Sequence, residues 1–399
     1  MKILFLSYWG IDEGLSSATV IPHLRILSEL NSVDQIIFCS IERKKTDIKP
    51  LTLPKVEHVP LLSRGSSVFL LDKLSDFIKF PKIVTKLCAQ FEIDFMICRS
   101  PMAGALGYLV WRKTKLAYIV ESFEPHALSM RESGVWAWYD PRFWIQHFFE
   151  TRQKKTARKI LPVSWHYFNR LKQEGINESR LYTMPCCVQT EKFEFNSNAR
   201  IRKRESLGFK QQEIVGIYVG KFGGIYHDTI AFHLFKKSFD FFGSRFRLII
   251  LSGDDHDKIL QRLKENGISV SNVVLDSVSH SEVPDFLSAA DFAFSTIKPV
   301  QTRIYCSPIK NGEYWANGLP IMTEMGIGDD SDIIVREGGG VILNIDNPKT
   351  AFEAMQSLLK IGREKLGESI VSLAFKYRRM ELVEDAYKNI VKNTQRLNF

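Results

Sequence analysis

Cysteine pairs at metal-ligand spacing are missing from this chain. Its 6 cysteines are scattered, Cys186 and Cys187 are adjacent, and no Cys-x-x-Cys occurs. This argues against a zinc site or a disulfide framework and for a reducing compartment, so a cytoplasmic location is expected. A long apolar run is missing at the N-terminus. Ile3, Leu4, Phe5 and Leu6 give way to Ser7, too soon for a signal peptide or a membrane span, and they read as a buried first strand. No internal repeat or low-complexity segment stands out. Charge is not extreme either: 54 Lys plus Arg against 45 Asp plus Glu leave a formal +9. That excess fits nucleic acid, anionic lipid or phosphate ligands equally well, and ordinary surface composition too. A basic-aromatic platform for single strands and a recognition-helix pattern are both absent, which leaves nucleic acid the weakest partner class.

What is present is a globular composition, 45% hydrophobic and 25% charged, over 399 residues. This is too long for one ordinary core and predicts two domains. In the first half, strands at residues 2–8, Val33–Cys39, Asp94–Cys98, Leu116–Val120 and Leu181–Met184 alternate with helices. One runs from Ser16 to Leu30, with Val20, Leu24, Leu27 and Leu30 at helical spacing; others are predicted at Met102–Trp111 and 164–175. The polar run Lys192–Arg204 is the expected boundary. Beyond it, strands at Glu213–Val219, Phe246–Leu251, Val273–Leu275, Asp291–Ser295, Leu319–Thr323 and 341–343 alternate with helices again. Helices near 348–360 and 377–395 close the chain. The expectation is an α/β protein with two doubly wound, Rossmann-like domains at 1–195 and 205–375, and a closing helix within 376–399 packed on the first domain. Ligands of such sheets gather beyond the carboxyl ends of the strands, which points to residues 8–17, 99–104 and 121–131.

The stretch 305–320 carries the most chemistry. Ser307 as N-cap and Pro308 as first helical residue predict a helix start, with free amides for phosphate or hydroxyl oxygens. Glu313, about one turn in, suits two ribose hydroxyls; an ordinary capped helix with a solvated glutamate is the competing reading. Gly318 is expected to end the helix in the left-handed conformation. The turn Gly220-Lys221-Phe222-Gly223-Gly224 follows a strand. Its glycines allow a diphosphate close and Lys221 neutralises charge, although a Gly-x-Gly-x-x-Gly fingerprint is absent. Arg303 and Lys310 flank the other candidate loop as further cations for a leaving diphosphate. Asp329, Asp330 and Asp332 look like a metal cluster but suit a helix start better, and Asp254, Asp255 and Asp228 read as turn and cap residues. No required metal and no cofactor are expected.

On the other side, Glu121, Glu124 and His126 follow a strand directly, and each can position or exchange a proton. A plain surface-loop histidine is the alternative. Gly14, Ser16, Ser17 and Arg131 line the same expected acceptor side. Trp136, Trp138, Tyr139, Phe143, Trp144, Phe148 and Phe149, with Arg152, Lys154, Lys155, Arg158 and Lys159, fit a core helix with an aromatic loop. They fit an acceptor-binding wall facing a membrane equally well.

Four stretches carry a family resemblance. Ser307 through Pro320, Val219-Gly220-Lys221-Phe222, Met184-Pro185-Cys186-Cys187-Val188 with Phe193, and the N-terminal strand with its serine-rich loop resemble GT-B glycosyltransferases, within them the retaining family four. The resemblance implies two domains facing across a cleft and transfer of a sugar, with retention, from a nucleoside-diphosphate sugar to a glycan or lipid-linked glycan. With the cysteine usage and the basic-aromatic stretch above, the expected location is the cytoplasm, at the inner face of the membrane for a lipid-linked acceptor. Glu313 matches the family's ribose-binding glutamate and Lys221 its first diphosphate-binding cation. Tyr305 stands where the family has its first glutamate, Tyr226 near its second cation, and Glu121-Ser122 where its acceptor-side histidine falls. Relatives that build bacterial surface polysaccharides share the Ser-Pro-x-Lys-x-x-Glu pattern without the first glutamate. A sugar-nucleotide epimerase of the same architecture and a non-catalytic binding protein on a degenerate transferase scaffold are the alternatives.

Overall fold

The structure is a computed structural model that describes residues 1–14, 16–43, 48, 51–63 and 69–395. Residue 15 of the expected acceptor loop and 396–399 of the expected closing segment lie outside the described residues. The chain forms two compact units. The first comprises Met1–Arg131, Trp136–Pro185 and the C-terminal helix Glu381–Gln395; the second comprises Glu132–Val135 and Cys186–Met380.

The first unit is built on β1 (Lys2–Ser7), β2 (Gln35–Glu42), β3 (Val56–Leu62), β4 (Phe95–Arg99), β5 (Tyr118–Ser122) and β6 (Lys159–Pro162). They form one parallel sheet in the order β3-β2-β1-β4-β5-β6. Both faces are covered, so β1 and β4 are continuous apolar runs with Ile3 to Leu6 and Phe95 to Cys98 all buried. β3 escapes the apolar rule because it is an edge: Glu57, His58 and Pro60 are tolerated where only β2 pairs with it. β5 lies two residues further along than its apolar run suggests, which puts Glu121 inside the strand. The expected strand Leu181–Met184 reduces to a single bridge with Ile160, although the Tyr182 and Met184 amides still donate to the Ile160 and Pro162 carbonyls. The helix expected from Ser16 opens as a wide turn, Ser16–Val20, before the α-helix Ile21–Glu29.

The second unit repeats the plan with β7 (Ile214–Val219), β8 (Phe246–Leu251), β9 (Val273–Asp276), β10 (Phe292–Ser295), β11 (Ile321–Glu324) and β12 (Gly340–Leu343). The parallel order is β12-β11-β10-β7-β8-β9, which is the first sheet's order written from its other edge. In both sheets the winding reverses between the first and fourth strands, β1/β4 and β7/β10, and a crevice opens there at the carboxyl ends. One core cluster packs the helices Ile309–Ala316 and Arg363–Tyr377 on one face of this second sheet; a phenylalanine-rich cluster around Phe235, Phe242, Phe246 and Phe292 fills the other.

The run Lys192–Arg204, polar enough to read as a linker, folds onto the second unit as part of helix Ser197–Ser206. Arg204 is fully buried and donates to the Ala289, Lys210, Gln211 and Glu213 carbonyls and to Asp291 Oδ2 at 2.7 Å. Arg200 takes Asp291 Oδ1, also at 2.7 Å. An apolar stripe is unnecessary when a guanidinium is this fully satisfied.

Candidate functional site

The crevice of the second unit is made by the loops that leave β7 and β10. After Val219 the chain turns through Gly223 (φ +80°) and Gly224 (φ +61°), conformations a side chain rarely adopts. The turn is pinned at several points. Gly220 N–H donates to Leu251 O at 2.9 Å, and Phe222 N–H to Asp254 Oδ2 at 2.7 Å. Tyr218 O–H donates to the Lys221 carbonyl. Phe222 stacks inward on Tyr218 and Phe232, with ring centroids 4.8 and 4.7 Å apart, which leaves Lys221 exposed. The loop after β10 is laced to this turn: His227 N–H donates to Thr296 O at 2.8 Å, Lys298 N–H to Ile225 O at 3.0 Å, and Lys298 Nζ to Gly224 O at 2.9 Å.

Helix Ile309–Ala316 reaches the same edge. Tyr314, buried, accepts from the Val219 amide at 3.3 Å, which ties the helix to the end of β7. The stem of Lys310 passes Gly220, with Cε 3.6 Å from where a Cβ would stand. Glu313 is buried, and its Oε1 lies 2.8 Å from His280 Nε2, on the loop after β9. Gly318 ends the helix at φ +70°, where any Cβ would come within 2.7 Å of Gly367 Cα. Lys310 thus meets Gly220 at the carboxyl end of β7, with Lys221, Gly223 and Gly224 on the same turn and Glu313 one turn further along the helix. Tyr305 ends the short turn Gln301–Tyr305.

Three residues of the same reading take other positions. Ser307 is not the N-cap, which is Pro308; its Oγ accepts from the Cys186 amide at 3.1 Å and from the Arg378 guanidinium. Arg303 is buried and donates to Ser133 Oγ at 2.7 Å, on the short segment Glu132–Val135 of this unit. Asp228 stands at the N-cap of helix Thr229–Phe242, but Arg262 has drawn its carboxylate away from the capping bond. Asp255 does cap its helix, His256–Glu265. Asp330 turns inward to Arg378 and Asn311, and among the described residues no group of three His, Cys, Asp or Glu converges as a metal site requires. Sequence reading missed His280 and the buried pair His227 Nε2–Glu324 Oε2, 2.5 Å apart. Their one sequence signal is position, since His227 and His280 both fall in loops that leave carboxyl strand ends.

In the first unit, Glu121 is no loop residue. It is fully buried in β5, ion-paired with Arg99, and accepts from Tyr387 O–H at 2.6 Å. The Tyr387 hydroxyl also lies 2.7 Å from His23 Nδ1. Burial and the nearby Arg99 charge push the His23 pKa well below its usual value, and burial raises that of Tyr387. His126 opens helix His126–Glu132 with Nδ1 3.8 Å from Glu124 Oε1. Glu150 lies below that helix start, accepting from the Ala127 amide at 3.1 Å, and its carboxyl is raised by burial against the opposing pull of His126. His126 thus has the Glu124 carboxylate beside it and lies close enough to Glu150 to be felt electrostatically. Ser16 spends its hydroxyl on Gly10 O at 2.6 Å, whereas Gly14, Ser17 and Arg131 are exposed, Arg131 lying over the Phe143 ring at 4.6 Å.

No protein-family model and no curated protein matches this sequence. Solved structures do match along the whole chain. Sucrose-phosphate synthase from Thermosynechococcus elongatus superposes with a TM-score of 0.79 at 13% identity, covering 98% of this chain and 99% of that one. This is the GT-B fold. Anabaena HepE in complex with UDP-glucose follows at 0.72 and 11%, covering 98% and 100%. A UDP-N-acetylglucosamine 2-epimerase of Listeria monocytogenes, so described provisionally, stands at 0.63 and 10%, covering 98% and 96%. At these identities the shared GT-B architecture is what the likeness establishes. Among the described residues no helix is long and apolar enough to cross a membrane.

Proposed function

We propose that the chain is a glycosyltransferase that moves a sugar from a nucleoside-diphosphate sugar to a hydroxyl of a glycan or lipid-linked glycan. The observation that carries the reading is the convergence of the Gly220–Gly224 turn, Lys310 and Glu313 at the β7/β10 reversal. Glu313 accepts protons from the ribose hydroxyls, with His280 holding its Oε1. Lys221 and Lys310 face the diphosphate and stabilise the charge that grows on it as it departs. The bond between the anomeric carbon and the phosphate oxygen breaks. The acceptor oxygen bonds that carbon on the same face, so configuration is retained, and its proton passes to the leaving phosphate. The products are the glycoside and the nucleoside diphosphate. Glu124, His126, Gly14, Ser17 and Arg131 are the acceptor-side groups, with His126 the candidate that positions the acceptor hydroxyl.

The test is a thermal-shift screen of uridine, guanosine and adenosine diphosphate sugars, followed by turnover with the donor that stabilises. A donor that shifts the wild-type chain and fails to shift Glu313→Gln supports the reading. No stabilisation by any donor rejects it. Likeness in fold to the Listeria protein favours one second reading, a sugar-nucleotide epimerase. Conversion of the donor to its epimer with no acceptor present would establish that instead.

A further inference from the structure

Helix Pro141–Thr156 is inside out. Its buried positions are Phe143, Gln146, Glu150 and Gln153, so the face turned into the first unit is largely polar. Each polar group there is satisfied. Gln146 Nε2 donates to Glu150 Oε1 at 2.8 Å, the Ala127 amide donates to the same oxygen, and Gln153 Nε2 donates to Pro101 O at 2.8 Å. Gln153 sits in a notch left by Gly104, where a Cβ would come within 2.6 Å of its amide oxygen. The outward face carries Trp144, Ile145 and Phe148, exposed by 57, 52 and 47%; the turn before the helix adds Trp138 and Tyr139 at 71 and 70%. A surface helix ordinarily has the opposite arrangement. A concentrated exposed aromatic face marks a surface that something covers.

We propose that this face docks on an anionic lipid bilayer, lying in the plane of the headgroups. The residue types are those that favour a membrane interface, Trp and Tyr with an apolar body and a polar tip beside aliphatic and phenyl groups. The fringe is cationic: Lys155 and Arg152 are exposed, Arg152 lying over the Phe148 ring at 5.0 Å, whereas Arg142 is paired with Asp140. A cavity of about 630 Å³ beside the C-terminal half of the helix is lined by Lys154, Lys155, Arg170 and Arg180 against Glu150 and Glu174. The chain as a whole carries +9. Charge of this sign attracts anionic headgroups from a distance, and the rings then enter between them. A second copy of the chain is the poorer occupant. A two-fold contact over this face would oppose Arg152 and Lys155 to their own counterparts, while the nearby carboxylates of Asp140 and Glu174 are already taken by Arg142 and by Lys154 and Arg170. The proposal does not rest on the sugar-transfer reading, since docking requires neither donor nor acceptor.

The test mixes the full chain with vesicles of phosphatidylcholine alone or of phosphatidylcholine with phosphatidylglycerol. Binding is read by co-sedimentation and by quenching of tryptophan fluorescence with brominated acyl chains. Binding and quenching on the anionic vesicles, weakened by salt, are expected. The double variant Trp144→Ser/Phe148→Ser lowers the partition at least about tenfold. Its thermal midpoint stays unchanged because both rings are outside the core. Arg152→Glu with Lys155→Glu lowers binding to the anionic vesicles only. The proposal is overturned if the wild-type chain ignores anionic vesicles or if the double variant binds them as well as wild type. It is equally overturned if the chain is a dimer that the double variant dissociates, with no lipid binding by either.

Discussion

His280 Nε2 lies 2.8 Å from Glu313 Oε1, the imidazole half exposed and the carboxylate almost wholly buried. His280 thereby fixes the orientation of a buried carboxylate, which the proposed function assigns to ribose. Glu313→Gln keeps the shape and removes the charge, so affinity for the cognate nucleoside diphosphate falls about 10- to 100-fold, the loss of one charge-assisted hydrogen bond. His280→Ala frees the carboxylate without removing it and costs less than about tenfold. Titration calorimetry on both variants checks the order; equal losses would make His280 a ligand in its own right.

Lys221 and Lys310 are assigned to the phosphates, and the assignment separates from nucleoside binding. Lys221→Ala and Lys310→Ala each weaken nucleoside-diphosphate affinity about fivefold at low salt, and less at high salt, as expected for a screened charge. Affinity for the nucleoside without phosphates stays the same in both. A loss that extends equally to the nucleoside would show that the lysines shape the base or ribose pocket instead.

Arg204 holds helix Ser197–Ser206 on the second unit through buried bonds to four carbonyls and Asp291. Removing it strands those carbonyls and leaves Asp291 paired with Arg200. Arg204→Ala is expected to destabilise the second unit by about 3–5 kcal/mol, the cost of breaking a buried pair from one side. Arg200→Ala, which loses one carboxylate oxygen and the Ser288, Ala289 and Ala290 carbonyls at a less buried position, costs less, about 1–3 kcal/mol. Urea unfolding followed by tryptophan fluorescence distinguishes the two.

The alternation of apolar strands and amphipathic helices made the fold legible, because parallel strands buried on both faces must be continuous apolar runs. β3 was not legible: an edge strand tolerates Glu57, His58 and Pro60, which break the apolar run that marks a buried strand. Helix Arg363–Tyr377 went unread, although Leu366, Ile370, Leu373 and Ala374 make its buried face. At the site, Glu313 and Lys221 were legible from a helix start and a glycine turn that are local in sequence. His280 was not, since it is 33 residues from Glu313 and only the crossover of β9 and β10 brings them together. Ser307 was misread as a cap because sequence cannot show that the Cys186 amide and Arg378 compete for its hydroxyl. Glu121 was misread as a loop residue because the strand runs on past the apolar stretch Leu116–Val120 to enclose a charge that Arg99 pairs and the Tyr387 hydroxyl hydrogen-bonds.

That enclosed cluster gives a pH dependence with a definite sign. His23 is buried against Tyr387 and Arg99, and burial with the arginine's charge holds its pKa well below 6.5. The unfolded chain therefore binds a proton on this residue before the folded chain does. The stability that His23 contributes is complete above its unfolded pKa and is lost as pH falls below about 6.5, with a limiting slope of about 1.4 kcal/mol per pH unit. Glu150, raised by burial, contributes with the opposite slope at pH above its own unfolded pKa, so the raw stability curve mixes both. The difference between wild type and His23→Gln isolates the histidine. Unfolding free energies measured from pH 7.5 to 5 should converge as pH falls, with wild type losing its advantage below about 6.5. Tyr387→Phe removes the hydroxyl between His23 and Glu121, costs about 1–3 kcal/mol at neutral pH and leaves this slope in place, because the burial that sets it remains. Parallel curves for wild type and His23→Gln across that range would show that the imidazole is not the titrating group.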